Sequence, residues 1–375
     1  AGHWGLAQPM ADVMEYNTQL REEMTRLGSL GYAGGTVAAR PGEGVTIHEP
    51  GAASAGLRFF MSGHAPGAEL IDPTGRVLHR WEKSYEDCIA ESGLPADRFQ
   101  PDHRRVTGCW RRARLLPDGG VLAIYEGHGL VRLDRASNVL WVHPGACHHD
   151  LDLDATGDIH ILSRESQVVP RLHPDQPVLL DYVTILSPEG EEKARVDLLE
   201  AFENSVYASH LQFRKEAGDI FHTNTLEILD DRTGELGPAF AAGNYLISVR
   251  ELGLIAVVDP RRPEIVWAMS GMWKAQHQPT LLDNGNILLF DNLGHGGRSK
   301  VIEFDPLTQE VVWSYADGPG TRLFSRTCGS NQRLPGGNTL ITESDNGRAL
   351  EVTPDGRIVW EFRNPRRTGP QDEYI

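Results

Sequence analysis

From about Val45 onward the chain runs in short alternations of apolar and polar residues, which predict β-strands rather than helices. One unit recurs six times. It is an apolar strand, a turn built on Asp-Pro or an equivalent, and a second strand that closes on an aromatic in most copies. The copies span residues 68–81, 130–141, 183–196, 255–267, 301–313 and 349–360. Each reads as a hairpin, with Pro, Asp and Gly in the turn and β-branched residues on the flanks. A second unit, Leu-x-x-x-Gly-(Asn/Asp/Gly) followed by two apolar residues, precedes five of the six. Its third copy carries a long insertion between Glu227 and Gly243. Two hairpins make one four-stranded blade, so the repeat predicts an all-β chain folded as a six-bladed β-propeller. GVTIHEPG and AGLRFFMSG are expected to supply the remaining strands of the N-terminal blade. A helical repeat conflicts with the period of two. A large β-sandwich also offers many short strands but no regular internal repeat. Met10 to Leu30 alone has helical spacing, with Met14, Leu20, Met24 and Leu27 near one face. The expected organisation is a helical extension over residues 1–40 and a propeller over 41–375.

Composition refines this picture. The 375 residues exceed one ordinary core, but propellers grow by radial repetition. A hydrophobic content of 40% excludes disorder. The net charge of −16 opposes nucleic acid and anionic membranes, so no nucleic-acid partner is expected. No run of about 18 apolar residues exists, so no membrane span is expected. The opening Ala1-Gly2-His3-Trp4 shows no leader pattern. A periplasmic or secreted location is expected, with a cytoplasmic one left open, and the oligomeric state is open too. Cys88 and Cys109 bracket a polar insertion and would pair in an oxidising compartment, while free thiols are an equal reading. The four cysteines fit no zinc spacing.

Against this acidic background, any site for an anion must gather local positive charge. Aligning the second unit on its glycine locates candidates. The position eight residues before that glycine holds Arg111, His149, His277 and Gly329, and the inserted blade places His222 there. The position fifteen residues further on holds Glu126, Arg164, Asn292 and Ser344, with Arg250 in the inserted blade. Equivalent positions on successive inner strands of a propeller form rings around one axis. His149, His222 and His277 therefore share one ring, and Arg164 and Arg250 another. A lone histidine on an apolar strand is usually structural, and repeats also copy structural residues. Three at one repeat position point to a shared site. Cys147 and Cys328 lie near the inner strands, where buried thiols are mostly inert.

These stretches also carry a family resemblance. HHDLDLDATGDIHILSRE, DIFHTNTLEIL with NYLISVRELGLIAVVDP, WKAQHQPTLLDNGNILLFDN and NQRLPGGNTLITESDNGRALEVTPDGRIVWEF resemble the bacterial arylsulfotransferases. The likeness runs from about residue 45 to 362, and Gln276-His277 is its most specific part. The resemblance implies a six-bladed propeller that moves sulfate between phenols without a nucleotide donor. It implies that His277 is the nucleophile and forms a sulfohistidine. It makes His222 the histidine of an Asp-x-x-His-x-Asn motif, Arg250 the arginine after the following strand, and His149 the histidine of the His-His-Asp stretch. The partners implied are an aryl sulfate donor and a phenolic acceptor, with no cofactor. The family's best-known members carry an extra N-terminal β domain, where this chain shows only a helix.

Sulfuryl transfer needs little covalent work from a protein beyond positioning and charge stabilisation. A neutral imidazole can attack sulfur and divide the transfer into two steps. Arg250 would hold sulfuryl oxygens with its planar fork. His222 and His149 would donate hydrogen bonds or carry protons. Arg164, Asn292 and Arg111 are the expected substrate contacts from the repeat, with a salt bridge from Arg164 to Glu165 or Asp152 as its structural alternative. Two other classes stand beside this one. Three inward histidines could ligate a metal in a lyase or oxygenase, with Asp150 as a supporting carboxylate. The channel could also bind an anion or a partner without catalysis.

Overall fold

The computed structural model describes residues 42–94, 108–231, 236–318 and 321–367. The helix expected over Met10 to Leu30 lies outside them. The described strands begin with β1 (Gly44–His48). Blade I then holds β2 (Arg58–Met61), β3 (Gly67–Ile71) and β4 (Val77–Glu82). Blade II holds β5 (Arg112–Leu115), β6 (Val121–Tyr125), β7 (Gly129–Leu133) and β8 (Val139–Pro144). Blade III holds β9 (Cys147–Leu153), β10 (Ile159–Val168), β11 (Pro177–Leu186) and β12 (Glu192–Asp197), and the short β13 (Gly218–Asp219) runs parallel to β11. Blade IV holds β14 (Thr223–Ile228), β15 (Tyr245–Val249), β16 (Leu254–Asp259) and β17 (Glu264–Ser270). Blade V holds β18 (His277–Leu281), β19 (Ile287–His295), β20 (Arg298–Phe304) and β21 (Val311–Tyr315). A small hairpin, β22 (Asp317–Gly318) with β23 (Thr321–Arg322), leads into blade VI. Blade VI holds β24 (Ser330–Arg333), β25 (Thr339–Glu343), β26 (Arg348–Val352) and β27 (Ile358–Arg363).

Packing between blades explains the apolar runs. Successive side chains of a strand point to opposite faces, and here both faces are covered by a neighbouring blade. Ile287 and Leu289 of β19 pack toward blade IV with Leu246 and Val257, while Leu288 and Phe290 pack toward blade VI with Ile341 and Leu350. Similar buried clusters fill the other junctions, including Ile71 with Trp360 and Phe362 between blades I and VI. Each fully buried aliphatic side chain contributes about 1.5–3 kcal/mol.

The aromatic that closes the hairpin repeat latches one blade to the next. The indole Nε1–H of Trp141 donates to Pro188 O at 3.1 Å, Trp313 to Pro354 O at 2.8 Å, and Trp360 to Pro73 O at 2.8 Å. In each case the acceptor belongs to the turn of the following blade's hairpin. Trp81 Nε1–H donates instead to Gly119 O, in the β5–β6 turn of blade II, at 3.1 Å.

Ring closure departs from the expectation. β1, carrying GVTIH, does not complete blade I. It pairs antiparallel with β27 as a fifth, outer strand of blade VI, and among the described residues blade I has three strands. The physical reason is the free edge. β27 would otherwise leave its outer ladder unpaired, and the N-terminal strand covers it. A buried ion pair reinforces the seam, with Arg58 Nη2 2.6 Å from Glu351 Oε2 and the guanidinium 4.9 Å from the Trp360 ring centre.

The expected insertion between Glu227 and Gly243 includes a short 3-10 turn, Pro238–Phe240, and Phe240 fills the junction with blade V. Among the described residues, the helices α1 (Tyr85–Ser92) and α2 (Leu198–Glu203) lie in blade-to-blade connections. All four cysteines, Cys88 and Cys109 among them, are free thiols here. No helix among the described residues is long and apolar enough to cross a membrane.

Candidate active site

First strands of neighbouring blades pack on one another around the axis, and three of them begin with a histidine at the same end. His149 lies near the start of β9, His222 directly before β14, and His277 opens β18. In each case the inner strand slips register against its partner close to the histidine: between Ile161 and Ser163, between Thr223 and Thr225, and between His277 and Thr280. Such bulges re-aim side chains beside active sites. His149 and His222 both adopt a left-handed backbone, with φ of 51°. That region is uncommon for a residue with a Cβ, and such strain collects at functional sites. Gly329 occupies this ring position in blade VI. Its φ is +96°, and an added Cβ would lie 2.7 Å from the Phe290 ring.

The ring residues converge. The imidazoles of His149 and His222 stand edge to face, 4.8 Å between centres. The charges of Arg111, His222 and Arg250 act on His277, and those of Arg111, His222 and Arg164 act on His149. Both expected rings therefore meet in one site.

His277 is held in one tautomer. Its Nδ1 lies 2.8 Å from Asn292 Oδ1 and 3.1 Å from Ala275 O. The Asn292 amide cannot turn over, because Nδ2 donates to Ser325 O and Cys328 O. Two acceptors at Nδ1 require a proton there, which leaves the lone pair on Nε2. Burial lowers this imidazole to about 3, with the nearby arginines adding to the effect. Asn292, expected as a substrate contact, is thus engaged by its amide with the nucleophile candidate.

The two motifs of the family resemblance brace each other. Asn224 Nδ2 donates to Gln276 O, and Gln276 Nε2 donates to Ser248 Oγ, Val249 O and Leu254 O. Gln276 and Asn224 therefore fix where β18 starts relative to β15.

Each remaining cation has a carboxylate beside it. Arg111 Nε lies 3.2 Å and Arg164 Nη2 3.0 Å from Glu126, so Arg164 pairs with neither Glu165 nor Asp152. Those two carboxylates face Arg195 and Arg114. Arg250 Nη1 lies 2.5 Å from Glu251, which also takes Lys215 at 2.8 Å. His222 Nδ1 lies 2.5 Å from Asp219 Oδ2, and Asp219 Oδ1 accepts the His222 backbone N–H. Burial alone would raise Asp219, but His222 and then Arg164 hold it well below the usual carboxylate range.

A second layer lies behind His149. Its Nδ1 is 2.9 Å from Nδ1 of His148, a residue only 1% exposed. His148 Nε2 has no hydrogen-bond partner, and Asp181 Oδ1 is 3.7 Å away. Asp181 accepts the backbone N–H of Thr223 at 2.8 Å. Burial, followed by the charge of Asp219, raises Asp181. Burial lowers both histidines well below the imidazole range, helped by Arg164 at His148 and Arg111 at His149. The sequence reading missed Asp181, Asp219 and His148. Asp219 is three residues from His222, a spacing that offers a signal, and His148 adjoins His149. Asp181 lies on the third strand of its blade and gives none.

Glu126, His148 and His149 bring possible ligand atoms within 4.8 Å of one another. The arrangement fits a dication poorly. Glu126 already faces two guanidiniums, and the two Nδ1 atoms bond each other. Asp150, considered as a supporting carboxylate, faces away. It accepts from Leu151 N and Leu226 N and pairs with Arg112. Burial pushes the Cys147 thiol up to about 12, so it is no nucleophile.

Comparison with known proteins bears on the fold and the family. A protein of unknown function from Bacteroides caccae is similar at 13% identity and TM-score 0.51, over 85% of this chain and 97% of that one. A virginiamycin B lyase from Staphylococcus aureus is similar at 10% identity and TM-score 0.46, over 88% of each chain. At 13% identity the likeness to the Bacteroides caccae protein bears on the fold alone. No curated protein sequence matches the chain. The family model described as arylsulfotransferase (ASST) matches residues 112–365, a stretch that contains all three ring histidines with Arg164, Arg250 and Asn292, and the chain belongs to the arylsulfotransferase family.

Proposed function

We propose that the protein transfers a sulfuryl group from an aryl sulfate to a phenolic acceptor through a sulfohistidine at His277. The observation that carries this reading is the tautomer lock: Asn292 Oδ1 fixes Nδ1–H, so a neutral imidazole offers Nε2 beside Arg111 and Arg250.

In the first half-reaction His277 Nε2 attacks sulfur, the S–N bond forms, and the S–O bond to the donor phenol breaks. The ring gains positive charge, and Asn292 Oδ1 stabilises it by accepting from Nδ1–H. Arg250 takes sulfuryl oxygens in its fork, and Glu251 holds the guanidinium in place. Arg164 has five N–H donors, so pairing with Glu126 through Nη2 leaves donors for the same oxygens, and Arg111 adds positive charge beside His277. His222, braced at Nδ1 by Asp219, turns its other ring nitrogen to the same oxygens. In the second half-reaction the acceptor oxygen attacks sulfur, and the S–N electron pair returns to Nε2. A site histidine, His149 or His222, serves the phenol oxygens as proton carrier.

The test is release of nitrophenol from para-nitrophenyl sulfate, with and without phenol. Release is expected to depend on the acceptor and to fall by at least about 1,000-fold in His277→Ala. Release that ignores the acceptor, or survives in the variant, rejects the reading.

A further inference from the structure

We propose that His148 and Asp181 form a buried proton store behind His149, so that His149 takes the acceptor's proton and returns it to the donor's oxygen without water. The proposal rests on the sulfuryl-transfer reading and names which site histidine moves the proton and where the proton waits.

Three observations place the path. His149 Nδ1 and His148 Nδ1 are 2.9 Å apart, so one carries a proton and the other accepts it. His148 Nε2 is buried and unpartnered, which is costly for a polar atom. Its neighbour at 3.7 Å is Asp181 Oδ1, on a carboxyl 1% exposed. Such distances in an unliganded site shorten when substrate binds. The topology supports this use. β13 lies parallel to β11 and seats Asp219 beside the strand that carries Asp181, so His222 and His148 are each backed by an acid.

Before acceptor attack, His149 is protonated on Nδ1 and His148 on Nε2, and Asp181 is a carboxylate. As the S–O bond forms, the phenol proton moves to His149 Nε2, the His149 Nδ1 proton to His148 Nδ1, and the His148 Nε2 proton to Asp181 Oδ1. The next donor reverses this sequence, and its leaving phenolate takes the proton from His149 Nε2. No imidazolium is left behind.

The surroundings favour that outcome. His148 faces Arg164, Asp219 and His222, and His149 faces Arg111, His222, Arg164 and Glu126. The cations and burial keep both rings neutral. Asp181 faces Asp219, Arg164 and His148, and burial with the Asp219 charge makes it the group that accepts a proton. Glu126 is a poor substitute, because Arg111 and Arg164 both hold it.

The test compares the full chain with Asp181→Asn, which keeps an acceptor for Thr223 N–H. The donor is para-nitrophenyl sulfate, and the acceptors are phenol and pentafluorophenol, the second already ionised at neutral pH. The relay expects the variant to slow transfer to phenol about 100-fold and to pentafluorophenolate less than about threefold. Equal loss with both acceptors is the mark of a merely structural role and overturns the relay. A parent protein that transfers to neither acceptor defeats the proposed function instead, and the relay is then decided by imidazole nitrogen NMR of the labelled parent. The expected result is that His149 changes from the Nδ1–H to the Nε2–H tautomer as Asp181 takes up its proton, and tautomers that stay fixed through that titration overturn it.

Discussion

At His277 a single neighbour decides which nitrogen can react. Asn292 Oδ1 accepts from Nδ1–H, and the Asn292 amide is itself oriented by Ser325 O and Cys328 O. Asn292→Ala removes that orientation, so kcat is expected to fall by about 100-fold or more with little change in KM for the donor. Steady-state kinetics on para-nitrophenyl sulfate check this, and a raised KM at full kcat would place Asn292 on the substrate instead. The repeat exposed His149, His222, His277, Arg164, Arg250 and Asn292, because identical strand positions return at the same place around the axis. It could not expose the pairing between them. Whether Arg164 meets Glu126 or Glu165 depends on side-chain reach across two blades, and no local pattern encodes that.

Elements in this chain are joined by recurring latches. The tryptophans that close the hairpin copies were legible as a pattern, and the structure gives three of them a purpose: the indole N–H of Trp141, Trp313 and Trp360 meets the hairpin turn of the next blade. Trp360 bridges the seam where the ring closes, 1% exposed and stacked with Phe362. Trp360→Ala is expected to cost about 3–5 kcal/mol, measured as a lower urea midpoint. A loss below about 1 kcal/mol would mean that β1 on β27 closes the ring without it. The assignment of GVTIH to the wrong blade shows the limit of strand patterns. An alternating strand fits any open edge of suitable polarity, and its partner is chosen by where the edge lies in space, far along the chain.

For the whole molecule, the buried histidines tie stability to pH. His148, His149 and His277 are all lowered when folded. The unfolded chain binds protons on them near the ordinary value of 6.5, and the folded chain binds its His277 proton only near 3. Stability from these groups is therefore full above that ordinary value and is lost as pH falls toward the folded one. Asp181, being raised, works in the opposite sense: what it contributes is present at low pH and is lost as pH rises through its folded value. The histidines outnumber it. From pH 7 to 5, His277 alone is expected to cost about 2 kcal/mol. Urea unfolding at both pH values, in the parent and in His277→Asn, checks this. The variant should lose less stability by about that amount, and an identical loss would show that His277 is charged when folded.

What the sequence by itself determined is the repeating architecture and the identity of the ring residues, because period-two burial, turn chemistry and repeat position are local properties of the chain. The network behind the ring was decided only in three dimensions. His148 is an adjacent residue that points to the second layer, Asp219 reaches β11 through a parallel pairing, and Asp181 arrives from a third strand. Their roles come from burial and from distances between groups far apart in sequence. Those quantities exist only once the blades have closed into a ring.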